Sequence, residues 1–187
     1  MASRSRRFRY VSVEGKWYRL VRRGRDPLDF ARTRTAGGRY NPPRSHPSLY
    51  LADQPATCLL EVLVHAHELP PEYDLISVDV RLARAVDLWS ESGRKTARAS
   101  VEELTAPPQP IVGRDGAILG TRYGLTWEVG RLAWARGADG LLVPSAALPA
   151  QRVLVAFERP GARLRIREGR PIPTDPRMRR LLERESP

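Results

Sequence analysis

Three residues with chemically useful side chains follow one another at 11-residue intervals: Arg39, Tyr50 and Glu61. Arg39 comes directly after two glycines, Tyr50 stands in a predicted strand, and Glu61 lies in a predicted helix. A guanidinium binds phosphate, an aromatic ring offers a stacking surface, and a carboxylate stabilises nearby positive charge. These are the side-chain types needed to hold a dinucleotide and to stabilise positive charge developing on a ribose.

The glycines before Arg39 allow two interpretations. Gly37 and Gly38 permit backbone conformations in which successive N–H groups point inward and form an anion nest, to which Arg39 adds a bidentate phosphate contact. An ordinary turn with a solvated arginine explains the same residues. Gly-Gly-Arg alone does not decide between them.

Tyr50 and Glu61 are also open to structural explanations. Tyr50 is either a stacking surface for a nicotinamide or adenine ring, or a core residue with its hydroxyl at the edge. Glu61 falls on the helix side opposite the apolar residues, which are Ala56, Leu59, Leu60 and Leu63. An amphipathic helix with Glu61 in water explains that position as well as a catalytic role does.

Ser145 follows the apolar run 141–143 and Pro144. The proline ends the predicted strand and leaves the serine in a loop, where functional residues are common. No Gly-x-Ser-x-Gly elbow surrounds it, and the three histidines offer no obvious base, so a nucleophilic role is poorly supported. A hydroxyl that binds a ligand and an ordinary turn serine both remain open.

Short strands and a few helices must position these residues. Strands are predicted over 16–21, 49–52, 75–80, 141–143, 153–157 and 164–166. Helices are predicted over 55–68, with Asp53 as N-cap, over 121–136, and over 176–184. Residues 90–120 are expected to be irregular apart from a short helix over 101–104.

The mixture predicts one compact α+β domain with short-stranded sheets and flanking helices. A length of 187 residues fits a single domain with a full core. We expect a basic N-terminal arm over 1–15, the domain itself over 16–170, and a basic C-terminal tail over 171–187.

The composition also limits the classes of protein. The single Cys58 excludes an intramolecular disulfide, and no Cys/His spacing is that of a structural zinc site, so no metal is expected. No apolar run approaches bilayer length, and no apolar signal segment is present. We therefore expect a cytoplasmic protein without membrane contact.

The net charge is +11, with 30 Arg against 2 Lys. Such an excess predicts attraction to polyanions. Nucleic acid, a phosphorylated small molecule and an acidic partner protein all satisfy it.

Four segments in this order resemble the RES domain, the toxin half of RES–Xre toxin–antitoxin pairs: GGRYNPP, LYLA, ATCLLEVLVH and DGLLVPSA. The family's Arg, Glu and Ser match Arg39, Glu61 and Ser145, while Arg19 matches its earlier arginine and Tyr50 its strand tyrosine. The resemblance covers roughly residues 17–80 and 121–157. An asparagine that often follows the last segment is missing, and Gln151 or Arg152 would have to supply its contact.

The resemblance implies an ADP-ribosyltransferase-like fold that consumes NAD, with phosphate, water or a protein as acceptor. Arg19 and Arg39 would neutralise the pyrophosphate. Tyr50 would pack on the nicotinamide ring or its ribose, and Ser145 would hydrogen-bond the ribose or the carboxamide. Glu61 would accept from a ribose hydroxyl and stabilise the oxocarbenium-like centre as the N-glycosidic bond lengthens.

The resemblance also implies a cognate Xre-like helix-turn-helix antitoxin that covers the cleft containing Arg39 and Glu61, with DNA contacted only through that antitoxin. The competing hypothesis is a basic RNA-binding or RNA-cleaving protein. It is motivated by the net charge, the arginine-rich ends and the N-terminal aromatics Phe8, Tyr10, Trp17 and Tyr18. No recognised nucleic-acid motif supports it.

Overall fold

The computed structural model describes residues 6–66, 73–113 and 115–171. Its elements are, in chain order, β1 (Tyr10–Arg22), α1 (Ala31–Ala36), β2 (Ser48–Ala52), α2 (Pro55–Ala66), β3 (Tyr73–Asp87), α3 (Glu91–Ala97), α4 (Val101–Thr105), β4 (Gln109–Val112), β5 (Ile118–Arg122), α5 (Gly124–Ala135), β6 (Gly140–Pro144), β7 (Arg152–Phe157) and β8 (Ala162–Pro171). The predicted mixture of short strands and helices is confirmed.

The main sheet curves into a ring in which one pair of neighbouring strands is joined at a single position. Its strand order is β1-β2-β7-β6-β3-β8, and an additional pairing of β1 with β3 closes the first five strands on themselves. Strands β1 and β2 pair at a single position, Tyr18 with Ala52, whereas β1 and β3 pair along almost their whole length. The ring is therefore open between β1 and β2, and α2 packs beside this opening.

Apolar side chains fill the inside of the ring and also cover part of its outside. Trp17, Leu51, Val78 and Leu154 belong to the inner cluster. On the outside, β6 and β7 pack against α3, α4 and α5, so both of their faces are buried. Strands buried on both faces read as continuous apolar runs, which is why they were predictable from sequence.

Helix α5 lies directly against the turn that carries Arg39. A Cβ atom on Gly130 of this helix would stand 1.7 Å from the backbone oxygen of Tyr40. Only glycine allows the two backbones to approach so closely. The helix therefore fixes the position of the turn.

The segment 90–120 is more regular than predicted. The short helix expected over 101–104 is confirmed as α4, but α3 precedes it and the hairpin β4–β5 follows it. A capping box begins α4: the Ser100 hydroxyl accepts from the Glu103 backbone N–H, and the Glu103 carboxylate accepts from the Ser100 backbone N–H. The Ser-x-x-Glu spacing is a sequence signal for a helix start.

Strand β1 begins at Tyr10, earlier than predicted. Residues 10–15, expected in the basic N-terminal arm, pair with β3, which itself continues to Asp87 rather than ending near residue 80. The start of β1 and the end of β3 are set by pairing between strands that are far apart in sequence. Local alternation of apolar and polar residues cannot predict such pairing. Residues 10–15 therefore belong to the sheet rather than to an arm.

Four other predictions need correction or lie outside the described residues. Helix α5 begins at Gly124 rather than residue 121, because residues 121–122 pair within the β4–β5 hairpin. Asp53, expected to cap α2, instead accepts from the side chain of Arg152 at 3.1 Å. The helix predicted over 176–184 and the last two residues of the one predicted over 55–68 fall outside the described ranges. No helix within those ranges is long and apolar enough to cross a membrane.

Candidate active site

Glu61 and the turn after β6 are joined by hydrogen bonds. One carboxylate oxygen, Oε1 of Glu61, accepts from the Ser145 hydroxyl at 2.5 Å and from the backbone N–H groups of Ala146 and Ala147 at 2.8 and 3.3 Å. Three donors thus converge on a single oxygen of a half-buried carboxylate. The structure brings together two residues that the sequence could only propose as partners.

Ser145 is the centre of this turn. It is fully buried, and its hydroxyl oxygen also accepts from the backbone N–H of Leu148 at 3.1 Å. Its own backbone N–H donates to the Gln151 carbonyl at 2.8 Å. As predicted, Pro144 is the last residue of β6 and the serine follows immediately.

A cleft of about 210 Å³ lies beside Glu61, where β1 and β2 diverge. Side chains from both strands, from α2 and from β7 line it: Arg19, Leu20, Tyr50, Leu51, Ala52, Cys58, Glu61, Val62 and Val153. The cleft brings together Arg19, Tyr50 and Glu61 from among the predicted site residues. It offers one cation, one aromatic ring and one carboxylate to a ligand.

Arg19 is a half-buried cation at this cleft. Its Nη1 donates to the backbone carbonyl of Pro27 at 2.9 Å. Burial lowers the pKa of the Arg19 guanidinium from its ordinary value, an effect that the nearby Asp29 carboxylate opposes. Arginine nonetheless stays charged in proteins, so the cleft has a fixed positive group suited to an anion.

Tyr50 has a structural role and also borders the cleft. Its hydroxyl accepts from the backbone N–H of Tyr40 at 2.9 Å and donates to Oδ1 of Asn41 at 2.8 Å. Burial raises the pKa of Tyr50, which keeps the phenol protonated. Its hydroxyl holds the Arg39 turn while the residue also lines the cleft, so the two interpretations of Tyr50 are compatible.

Of the two interpretations of Gly37 and Gly38, the structure favours the ordinary turn over the anion nest. The Gly37 N–H donates to the Thr33 carbonyl at 3.0 Å, and the Gly38 N–H donates to the Asn41 carbonyl at 2.7 Å. The glycines serve conformation and space instead: Gly37 has a φ of 74°, and a Cβ on Gly38 would stand 2.7 Å from the Tyr50 hydroxyl. Neither N–H is available to an anion.

The side chain of Arg39 takes a different direction from the other site residues. Its Nη1 donates to the backbone carbonyl of Ala106 at 2.6 Å, beyond the end of α4. Its guanidinium lies 4.8 Å from the ring centre of Tyr123, a cation–π contact. Among the described residues Arg39 does not line the Glu61 cleft, and its partners come from the segment expected to be irregular.

A family model for the RES domain matches residues 16–175. The chain belongs to the RES domain family. Its relatives include the NAD(+) phosphorylase MbcT of Mycobacterium tuberculosis and of Mycobacterium bovis, each 30% identical over 159 residues, which is 77% of this chain and 75% of the relative. The crystal structure of the M. tuberculosis MbcT–MbcA toxin–antitoxin complex superposes with a TM-score of 0.70 and 25% identity, covering 94% of this chain and 92% of that chain.

The family assignment confirms the resemblance predicted from the four sequence segments. The RES fold is ADP-ribosyltransferase-like, so the predicted fold class is also confirmed. The relatives favour NAD chemistry over the competing RNA hypothesis. Of the two residues considered in place of the family's missing asparagine, Arg152 pairs through its side chain with Asp53.

Two other titratable residues of this RES domain are poor candidates for catalysis. Cys58 lines the cleft, but burial raises the pKa of its thiol to about 12, so it is not a nucleophilic thiolate. His46 packs against Trp134 and Phe157, and burial lowers its pKa to about 4, so it is a neutral core residue near pH 7. No group of three or more His, Cys, Asp or Glu in the described ranges could hold a metal ion.

Sequence reasoning missed the donors from the backbone. Ala146 and Ala147 carry no polar side chain, so nothing in their identity marks them as partners of a carboxylate. Their part depends on the turn geometry, which the Ser145–Leu148 hydrogen bond closes. A serine after the strand-ending Pro144 was the one available signal.

Proposed function

We propose that this RES domain is the toxin of a toxin–antitoxin pair and consumes NAD by cleaving the bond between nicotinamide and ribose. The observation that carries the proposal is the Glu61 carboxylate, fixed through one oxygen beside a cleft that also presents Arg19 and Tyr50. The relatives are named for the same substrate.

The chemistry needs a carboxylate at this position. As the glycosidic bond lengthens, its electron pair moves to the pyridine nitrogen, and neutral nicotinamide leaves. Positive charge then develops on the ribose carbon and its ring oxygen, as in other oxocarbenium-like transition states. The Glu61 carboxylate stabilises this charge, and an oxygen of the acceptor forms the new bond. Because the charge develops only in the transition state, Glu61 raises turnover more than binding.

Arg19 and Tyr50 bind the substrate in this proposal. The Arg19 guanidinium neutralises the pyrophosphate, and Tyr50 packs on the nicotinamide ring or its ribose. Arg39 is a second pyrophosphate ligand only after it exchanges the Ala106 carbonyl for a phosphate oxygen. A charged acceptor makes the stronger hydrogen bond to arginine, which favours that exchange.

Phosphate is the acceptor that the relatives' name favours, while water and a protein side chain are the alternatives. Purified protein is incubated with NAD, with and without inorganic phosphate, and the products are separated by mass. Phosphorolysis gives nicotinamide and phosphorylated ADP-ribose, and only when phosphate is present. Hydrolysis gives free ADP-ribose in both samples, and transfer labels proteins of an added lysate. No nicotinamide in any sample would refute the proposed function.

We further propose that a cognate Xre-like helix-turn-helix antitoxin covers the cleft in the cytoplasm, and that DNA is contacted only through it. The structural relative is a toxin–antitoxin complex. The net charge of +11 suits an acidic surface or tail on this partner. If the antitoxin covers the cleft, its addition abolishes nicotinamide release, and excess NAD weakens its binding.

A further inference from the structure

We infer that Ser145 is a positioning residue that acts through Glu61, and that Oε2 is the Glu61 oxygen that meets the reacting ribose. This inference rests on the proposed function of the cleft. All the hydrogen bonds that Glu61 makes with the described residues end on Oε1, from Ser145, Ala146 and Ala147. Oε2 is left without a partner among those residues. One oxygen anchors the carboxylate, and the other is available to a ligand.

The hydroxyl of Ser145 has no proton left for a ligand. A serine hydroxyl has one donor hydrogen and two acceptor lone pairs. The donor hydrogen goes to Glu61 Oε1, and one lone pair accepts from the Leu148 N–H. The residue is also 0% exposed. The direct contact with the nicotinamide ribose or carboxamide that the resemblance implies is therefore replaced by an indirect role.

The arrangement orients a carboxylate before the substrate arrives. Hydrogen bonds to an ionised group are about twice as strong as those between neutral groups, so three of them restrict the Glu61 side chain. A carboxylate held in one orientation loses little freedom when the transition state forms. Because the turn directly follows β6 and Glu61 lies in α2, the same bonds also tie the helix to the end of this strand.

Ser145 could be a structural residue, a direct ligand contact or a positioning residue for Glu61. Each of these three roles predicts different kinetics for the Ser145→Ala variant. Ser145→Ala should lower kcat by about 10- to 100-fold and change KM little, because misplacing a catalytic group costs turnover rather than binding. In a Glu61→Gln background the same substitution should have almost no further effect. Ser77→Ala is the matched control, since Ser77 is also buried and its hydroxyl donates to the carbonyl of Glu168, and neither residue lines the cleft.

The double-mutant cycle of Ser145→Ala and Glu61→Gln shows whether Ser145 acts through Glu61 or independently of it. Single-turnover assays with excess enzyme make the slow variants measurable, and thermal melting shows that each variant is folded. Independent, multiplying effects of Ser145→Ala and Glu61→Gln on kcat would overturn the inference, as would a rise in KM with unchanged kcat.

A structural measurement separates this inference from the proposed function. A crystal structure of the Ser145→Ala variant should show the Glu61 carboxylate rotated away from the Ala146 and Ala147 amides or in more than one conformation. An unmoved, fully ordered carboxylate would overturn the inference whether or not the wild-type protein releases nicotinamide. If the wild-type protein releases no nicotinamide but the Glu61 carboxylate of Ser145→Ala is rotated, the proposed function is refuted while the positioning role of Ser145 stands.

Discussion

The Ser145 hydroxyl donates to the Glu61 carboxylate at 2.5 Å, although 84 residues separate the two along the chain. This bond joins the turn after β6 to the middle of α2. Of the Arg, Glu and Ser that match the RES family, the serine and the glutamate are therefore direct hydrogen-bond partners. Arginine at position 39 belongs to a neighbouring unit with Tyr123 and the end of α4.

Removing the Tyr50 hydroxyl should destabilise the Arg39 turn. Tyr50→Phe keeps the ring but leaves the Tyr40 N–H and the Asn41 Oδ1 without their partner, and both of these residues are buried. We expect the free energy of unfolding in urea to fall by about 1–3 kcal/mol. Tyr10→Phe is the control, because Tyr10 packs through its ring under Arg84. Equal losses in the two variants would contradict the role given to the Tyr50 hydroxyl.

A methyl group at position 38 should push the Tyr50 hydroxyl out of place. The added Cβ would stand 2.7 Å from this hydroxyl and 2.9 Å from Asn41 Oδ1. Gly38→Ala should therefore lower the free energy of unfolding by about 1–3 kcal/mol, a cost typical of overpacking. Gly124→Ala, where the Cβ meets nothing within 4 Å, should lower it much less. A stable Gly38→Ala variant with wild-type activity would show that the turn tolerates the shift.

Arg19→Lys should weaken substrate binding more than turnover. Lysine keeps the charge but lacks the planar fork that binds phosphate through two parallel hydrogen bonds. We expect KM for NAD to rise by about 10-fold, with kcat changed less. Arg81→Lys is the control, since this arginine is exposed and pairs with Glu14 away from the cleft. An unchanged KM would remove Arg19 from the set of substrate ligands.

His46 should make the protein less stable at mildly acidic pH. Burial lowers its pKa to about 4, below the ordinary value of 6.5, so the unfolded chain binds the proton more readily. Its contribution to stability is complete above pH 6.5 and is lost as the pH falls towards 4. The free energy of unfolding should fall in this window with an added slope of up to about 1.4 kcal/mol per pH unit. His46→Phe should lack this added slope, and a parallel pH dependence in both proteins would contradict it.

Sequence patterns predicted the elements whose signals are local. The amphipathic run of α2 and the continuous apolar runs of β6 and β7 appear where expected. The extra length of β1 and the β4–β5 hairpin escaped prediction, because their ends depend on pairing with other strands. The capping box at Ser100 was a local signal that was present but not used.

The candidate site was predictable as a set of residue types but not as a geometry. The resemblance correctly selected the RES family, and the cleft collects Arg19, Tyr50 and Glu61. The backbone donors of Ala146 and Ala147 have no signature in side-chain identity. The direction of the Arg39 side chain depends on Tyr123 and Ala106, which sequence reasoning did not connect with it.

The central claim is that the Glu61 charge drives cleavage of the nicotinamide–ribose bond, and its most direct test is the rate of nicotinamide release by Glu61→Gln. Glutamine keeps the shape of the side chain and places its carbonyl oxygen on the same three donors, so the fold and KM should change little. We expect kcat to fall by about 100-fold or more. The control, Glu158→Gln, loses only a surface ion pair with Arg34 and should match the wild type. A Glu61→Gln protein that releases nicotinamide at the wild-type rate would contradict the account.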